Sequence, residues 1–164
     1  MRVITCIYIL VLLAGCFNKE PETTKLKGKE MPSFDILLPD GLTKINTSSI
    51  PEGKPIVLFK FAPWCPYCKL QTEELVSQVN SLKNIRFYFI TSTSFPEFKM
   101  FYDHYKLNNY ENITAGQDSS YYLSNYLQTD AIPCFAIYDE NKKLKRILTG
   151  KSSIKLLKDI AQEQ

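Results

Sequence analysis

The sequence predicts an α/β domain, a central β-sheet flanked by helices. Three observations carry that expectation. The run Ile56–Phe61, apolar but for Lys60 and bounded by Pro55 and Pro63, reads as a buried strand. A helical pattern follows at Pro66, and strand-like and helix-like segments then succeed one another to the C-terminus. With 164 residues, 45% hydrophobic and 13% aromatic, the chain can bury one sizeable core but hardly two. The net charge of +3 is modest, and lysines and acids are mixed along the chain, so no basic stripe points to nucleic acid.

In chain order, Met1-Arg2 gives a positive start, and Val3–Leu13 is apolar apart from Thr5 and Cys6. The run is too short to cross a bilayer but suits the core of a signal peptide. It closes on Leu13-Ala14-Gly15-Cys16, which resembles the lipobox of bacterial lipoproteins. That resemblance implies cleavage before Cys16 and lipidation of Cys16. Residues 1–15 are therefore expected as a cleaved signal and 16–30 as a lipidated cysteine with a polar, flexible tether. Residues 31–164 are expected as the folded domain. An acyl anchor would hold that domain on a membrane, facing the periplasm or the cell exterior, where disulfides persist.

Within the domain, Phe34–Leu38 and Leu42–Ile45 flank Pro39-Asp40-Gly41 and form an N-terminal hairpin. The strand Ile56–Phe61 leads into a helix Pro66–Leu82, with Leu70, Leu75, Val79 and Leu82 on its inner face. Ile85–Thr91 is the next strand. Helices are expected at Phe95–Tyr105 and Ser119–Leu127, with Asn108–Gln117 a loop between them. The tyrosines of this region read as an aromatic face packed on the sheet, and His104 as a partly exposed helix residue without a role. A strand from Cys134 pairs with Leu144–Leu148 through the Asp139-Glu140-Asn141 turn. Ser152 is the expected cap of a last helix, Ile154–Ala161.

The chemistry concentrates in Trp64-Cys65-Pro66-Tyr67-Cys68. Proline suits the first turn of a helix, so Cys65 sits at a helix N-terminus and Cys68 one turn further in, with the sulfurs in reach of each other. The unpaired N–H groups there favour a thiolate, which makes Cys65 the attacking sulfur. Cys68, on the inner side of the turn, resolves the mixed disulfide. Of the other cysteines, Cys6 lies in the leader, Cys16 ends it and Cys134 stands alone, which is no disulfide framework. Zinc would need four ligands, and only Cys134 and His104 could join the pair, so neither a metal nor a cofactor is expected.

At Trp64-Cys65-Pro66-Tyr67-Cys68 and Ile132-Pro133, the stretch from Met31 to Gln164 resembles the thioredoxin superfamily, above all the membrane-anchored TlpA/ResA-type thiol–disulfide oxidoreductases. The resemblance implies a thioredoxin-like fold: a central mixed β-sheet flanked by helices, with an N-terminal β-hairpin and a helical insertion. It implies that Cys65 and Cys68 form a redox-active disulfide and that Pro133 is a cis-proline against it. Trp64, Pro66, Tyr67, Ile132 and Pro133 would then contact substrate, with Ile132 offering backbone edge hydrogen bonds to an extended segment. The implied partners are protein dithiols or disulfides and a membrane electron donor of DsbD/CcdA type. The implied direction is reduction of protein disulfides, for example in cytochrome c maturation or disulfide repair.

Several positions depart from that pattern. Phe59 stands where thioredoxins carry a buried acid, Gln71 where ResA-like proteins often have a glutamate, and Glu73 where both groups have a helix-kinking proline. No general base carries over; Glu73 and Glu74 read as a solvated helix face. Lys60 is expected to snorkel at the strand edge, or else to approach Cys65. Cys134 reads as a small core residue, with a third redox thiol as the other possibility. Three alternatives to the reductase accompany this reading: a disulfide-donating oxidase, a thiol peroxidase and a non-catalytic partner-binding lipoprotein.

Overall fold

The computed structural model of the chain describes residues 25–163. The signal peptide, Cys16 and the tether as far as Thr24 lie outside the described residues. The elements are β1 (Asp35–Leu37), β2 (Lys44–Asn46), β3 (Ile56–Lys60), α1 (Pro66–Ser77), β4 (Arg86–Thr91) and α2 (Phe95–His104). They continue with β5 (Ile113–Gln117), α3 (Tyr122–Leu127), β6 (Cys134–Tyr138), β7 (Leu144–Thr149) and α4 (Ile154–Gln162).

The strands form one seven-stranded mixed sheet in the order β2-β1-β5-β4-β3-β6-β7. Strand β3 lies inside it, parallel to β4 and antiparallel to β6. All five of its residues are buried, as expected of a strand covered on both faces. The side-chain period of two sends Val57 and Phe59 to one face and Ile56, Leu58 and Lys60 to the other. The first face packs against Leu75 of α1, Phe98 and Phe101 of α2, and Leu157 and Ile160 of α4. The second packs against Leu123 and Leu127 of α3 and Phe34 and Ile36 of the hairpin. The hairpin turn is held by Asp40, whose Oδ1 accepts the N–H groups of Leu42 at 3.0 Å and Thr43 at 2.9 Å.

Five local expectations are corrected. Asn108–Gln117 is not all loop: Ile113–Gln117 is β5, inserted between β4 and β1. The helix from Pro66 ends at Ser77, and a 3₁₀ turn, Val79–Leu82, completes the run. Its inner face is Cys68, Gln71, Thr72 and Leu75, at i, i+3, i+4 and i+7, whereas Leu70 is 49% exposed. The cap of α4 is Ser153, whose side chain accepts the Leu156 N–H at 3.2 Å; the N–H of Ser152 is bound to Gln71 instead. The chain is already packed before Met31, because Gly28 N–H donates to Leu144 O and Leu144 N–H to Lys29 O, each at 2.8 Å. Lys143 also pairs with Glu30 at 2.6 Å.

The tyrosines divide. Tyr102, Tyr105 and Tyr110 pack against the first core and Tyr126 against the second, but Tyr121 and Tyr122 are exposed.

Candidate active site

Strand β3 delivers the chain to a tight turn in which Cys65 N–H donates to Ala62 O at 3.0 Å. Cys65 is the N-cap of α1, with Pro66 at the helix start. Its Sγ accepts the backbone N–H of Cys68 at 3.3 Å, so a helix-terminal donor is satisfied by sulfur. Cys65 is 5% exposed and Cys68 fully buried, and both are free thiols. Burial, and then its hydrogen bond with Cys65, pushes the Cys68 thiol far above the ordinary cysteine range. Cys68 is therefore a neutral thiol in the dithiol state, and Cys65 is the sulfur nearer solvent.

Trp64 and Tyr67 are each 63% exposed, and Pro66 is exposed between them. They form an apolar rim around a nearly buried sulfur pair. The Ile132–Pro133 peptide bond is cis. Ladder pairing of β3 with β6 ends at Lys60 opposite Cys134, so Phe61–Ala62 and Ile132–Pro133 leave the sheet side by side. Among the described residues, neither the N–H nor the C=O of Ile132 has a partner within the chain. Gly150 N–H donates to Pro133 O at 2.8 Å, tying the loop before α4 to the same place.

That loop also reaches α1. Gln71 is fully buried, its Oε1 accepts the Ser152 N–H at 2.8 Å, and its Nε2 has no partner among the described residues. Glu74 pairs with Lys151, and Glu73 accepts a hydrogen bond from Tyr105 Oη at 3.4 Å. Both glutamates are thus engaged at the outer side of α1 rather than free.

Two residues next to the site lie on the other face of the sheet. Lys60 does not snorkel: β3 is an interior strand, and Lys60 is 5% exposed. Its Nζ donates to Thr129 O and to Ser124 Oγ, the latter at 3.2 Å. Cys134, directly opposite on β6, is fully buried among Leu58, Ala136 and Tyr138. Burial pushes its thiol up to about 11, with the Lys60 charge opposing. Cys65 and Cys68 belong to the first core and Cys134 to the second, so the sheet separates the third thiol from the pair. Sequence reasoning missed the Lys60–Thr129 and Gln71–Ser152 contacts. The only signal for the first was a charge inside an otherwise apolar strand.

A family model described as thioredoxin-like matches residues 53–144, more than half of the chain, including Cys65, Cys68, Ile132 and Pro133. The chain belongs to the thioredoxin-like family. Solved structures share this thioredoxin-like fold at low sequence identity. MTB dsbF, solved in mixed oxidized and reduced forms, aligns with a TM-score of 0.64 and 24% identity over 77% of this chain and 92% of its own. A secreted Mycobacterium tuberculosis disulfide oxidoreductase homologous to E. coli DsbE gives 0.62 and 20%, over 78% and 94%. StoA from Bacillus subtilis gives 0.60 and 18%, over 80% and 97%. No curated protein matches the chain in sequence.

Proposed function

We propose that the protein is an extracytoplasmic thiol–disulfide oxidoreductase that reduces protein disulfides through Cys65 and Cys68. The observation that carries this reading is the dithiol at the start of α1, with Cys65 Sγ on the Cys68 N–H and the unpaired Ile132 backbone at the neighbouring strand end. An extended substrate adds to the Ile132 edge as a short strand, and Trp64, Pro66 and Tyr67 cover its side chains. The Cys65 thiolate attacks one substrate sulfur, the substrate S–S bond breaks, and the leaving thiolate takes a proton from water. Cys68 then loses its proton and attacks Cys65 Sγ. The mixed disulfide breaks, and the second substrate thiol leaves. Two electrons and two protons pass to the substrate, and the protein is left with a Cys65–Cys68 disulfide. A membrane dithiol donor of DsbD/CcdA type would restore the thiols.

The placement of charge supports the reductive direction. A dithiol becomes strongly oxidising when its reduced form is stabilised. Here the Cys65 sulfur holds one backbone N–H, and the buried cation of β3 is directed to Thr129 on the other face. The Leu13-Ala14-Gly15-Cys16 run supports lipid anchoring at Cys16, and the secreted relative of like fold agrees with a place outside the cytoplasm.

The test is the equilibrium potential of the Cys65–Cys68 couple against a glutathione buffer. A value near roughly −270 mV is expected, and one near about −120 mV makes the protein a disulfide donor instead. Peroxide consumption would identify a thiol peroxidase. Partner binding that persists when both cysteines are serine would identify a binding lipoprotein.

A further inference from the structure

Lys60 is the only charged residue of β3, and it is buried. An ammonium without water costs several kcal/mol unless its donors are satisfied. Among the described residues no carboxylate forms an ion pair with it; both hydrogen-bond acceptors are neutral, Thr129 O and Ser124 Oγ, and the Asp130 carboxylate, next to Thr129, favours its charge from further away. Its neighbours on this face, Ile56 and Leu58, are aliphatic, so an apolar side chain would serve the packing as well.

What the charge adds is a connection. Thr129 lies three residues before Ile132, in the segment that joins α3 to β6. The remaining hydrogen bonds of residues 128–132 are local: Gln128 N–H to Asn125 O and Thr129 N–H to Ser124 O, both at 3.3 Å, and Ala131 N–H to Thr129 Oγ1 at 3.2 Å. Gln128 has a left-handed backbone, φ 51°, and with the first two of those bonds it caps the end of α3, so the start of the segment is fastened to the helix and not to the sheet. Among the described residues, the Lys60 ammonium is the one hydrogen bond that fastens 128–132 to the sheet, across 69 positions of sequence. The strand it comes from is the strand that ends in the Cys65 turn.

We propose that Lys60 is a positioning residue: by holding the Thr129 carbonyl against β3, it sets where the Ile132 backbone edge stands relative to the Cys65 sulfur. It touches neither substrate nor the reacting sulfurs. The inference rests on the reading of Ile132 as the edge that receives an extended substrate.

The experiment is single-turnover oxidation of the reduced full-length protein, followed by fluorescence of Trp64, the only tryptophan and next to Cys65. Two oxidants are compared: an extended peptide carrying a mixed disulfide with a small thiol, and dithiodipyridine, which is too small to need the edge. Wild type comes first. Reaction with dithiodipyridine but no saturable reaction with the peptide would overturn the edge reading itself. In Lys60→Met, a side chain of similar length without the donor, the peptide rate taken as limiting rate over half-saturating concentration falls about tenfold, the scale of a small misplacement of a reacting group. The dithiodipyridine rate stays within about twofold. An unchanged peptide rate, or a parallel fall with both oxidants, overturns the proposal. Ser124→Ala, which removes one acceptor at a half-buried position, keeps the test open if Lys60→Met does not fold. It lowers the same peptide rate about threefold, the scale of one weak hydrogen bond, and speeds hydrogen exchange at Thr129 and Ala131, the hydrogen-bonded amides of the segment, but not in β3. No change in either readout overturns the proposal.

Discussion

Cys134 offers a quantitative check on the separation of the three thiols. Its thiol is pushed to about 11, against roughly 8.5 for a free cysteine. At pH 7.5 a free cysteine is about one-tenth thiolate and Cys134 only a few parts in ten thousand, a deficit of about 300-fold. Its full burial on an interior strand adds the requirement that the sheet open before a reagent can enter. Reduced native protein treated with N-ethylmaleimide and mapped by mass spectrometry should therefore, of the three cysteines among the described residues, lose Cys65 first. Cys134 should label at least about 300-fold more slowly than a cysteine in an unfolded peptide at the same pH. Labelling of Cys134 within about tenfold of that peptide would refute the reasoning, because neither its burial nor its raised thiol could then hold. Such a result would return Cys134 to the list of redox thiols.

Alkaline stability follows from the same groups. Cys134 binds its proton more tightly folded than unfolded, so its contribution is complete below about pH 8.5 and is lost as the pH rises toward 11. Cys68 is raised too and acts in the same sense, whereas Lys60 is lowered by burial and regains stability as the pH rises toward its unfolded value. Urea unfolding at pH 8 and 10.5 should show a shallower alkaline loss in Cys134→Ala than in wild type, by up to about 3 kcal/mol. Cys68→Ser should still attack a peptide disulfide but stop at a stable mixed disulfide on Cys65, visible as a mass adduct that dithiothreitol removes. Gly116→Ala should cost about 1–3 kcal/mol in urea unfolding, because the added Cβ would stand 3.1 Å from both Ile36 Cβ and Leu37 O.

The parts legible in the sequence were those decided locally. Ile56–Phe61 is apolar over a strand's length, Pro66 starts a helix, and the two cysteines straddle that start, so strand, turn and dithiol follow from neighbours along the chain. β5 was missed for the opposite reason. Ile113-Thr114-Ala115-Gly116-Gln117 has one large aliphatic residue, a glycine and a polar end, which is weak strand material by itself. It is a strand because β4 and β1 both pair with it, and Gly116 leaves room for the close approach of Ile36. Ser152 and Ser153 are equally good caps in sequence. Gln71, 81 positions away, takes the Ser152 N–H and leaves the cap to Ser153.

By itself, then, the sequence determined the dithiol at a helix start, the strand that carries it, and the α/β alternation of the chain. Hydrophobic period and helix-start chemistry act over a few residues and need no partner to be read. The tertiary structure decided the strand pairings beyond the two hairpins already legible in the sequence. Strand order brought Ile132 beside the end of β3, put Cys134 on the face away from Cys65, and enclosed Lys60 beneath the Thr129 carbonyl. Those outcomes depend on pairing between segments tens of residues apart. A one-residue change of register would have exchanged the two faces.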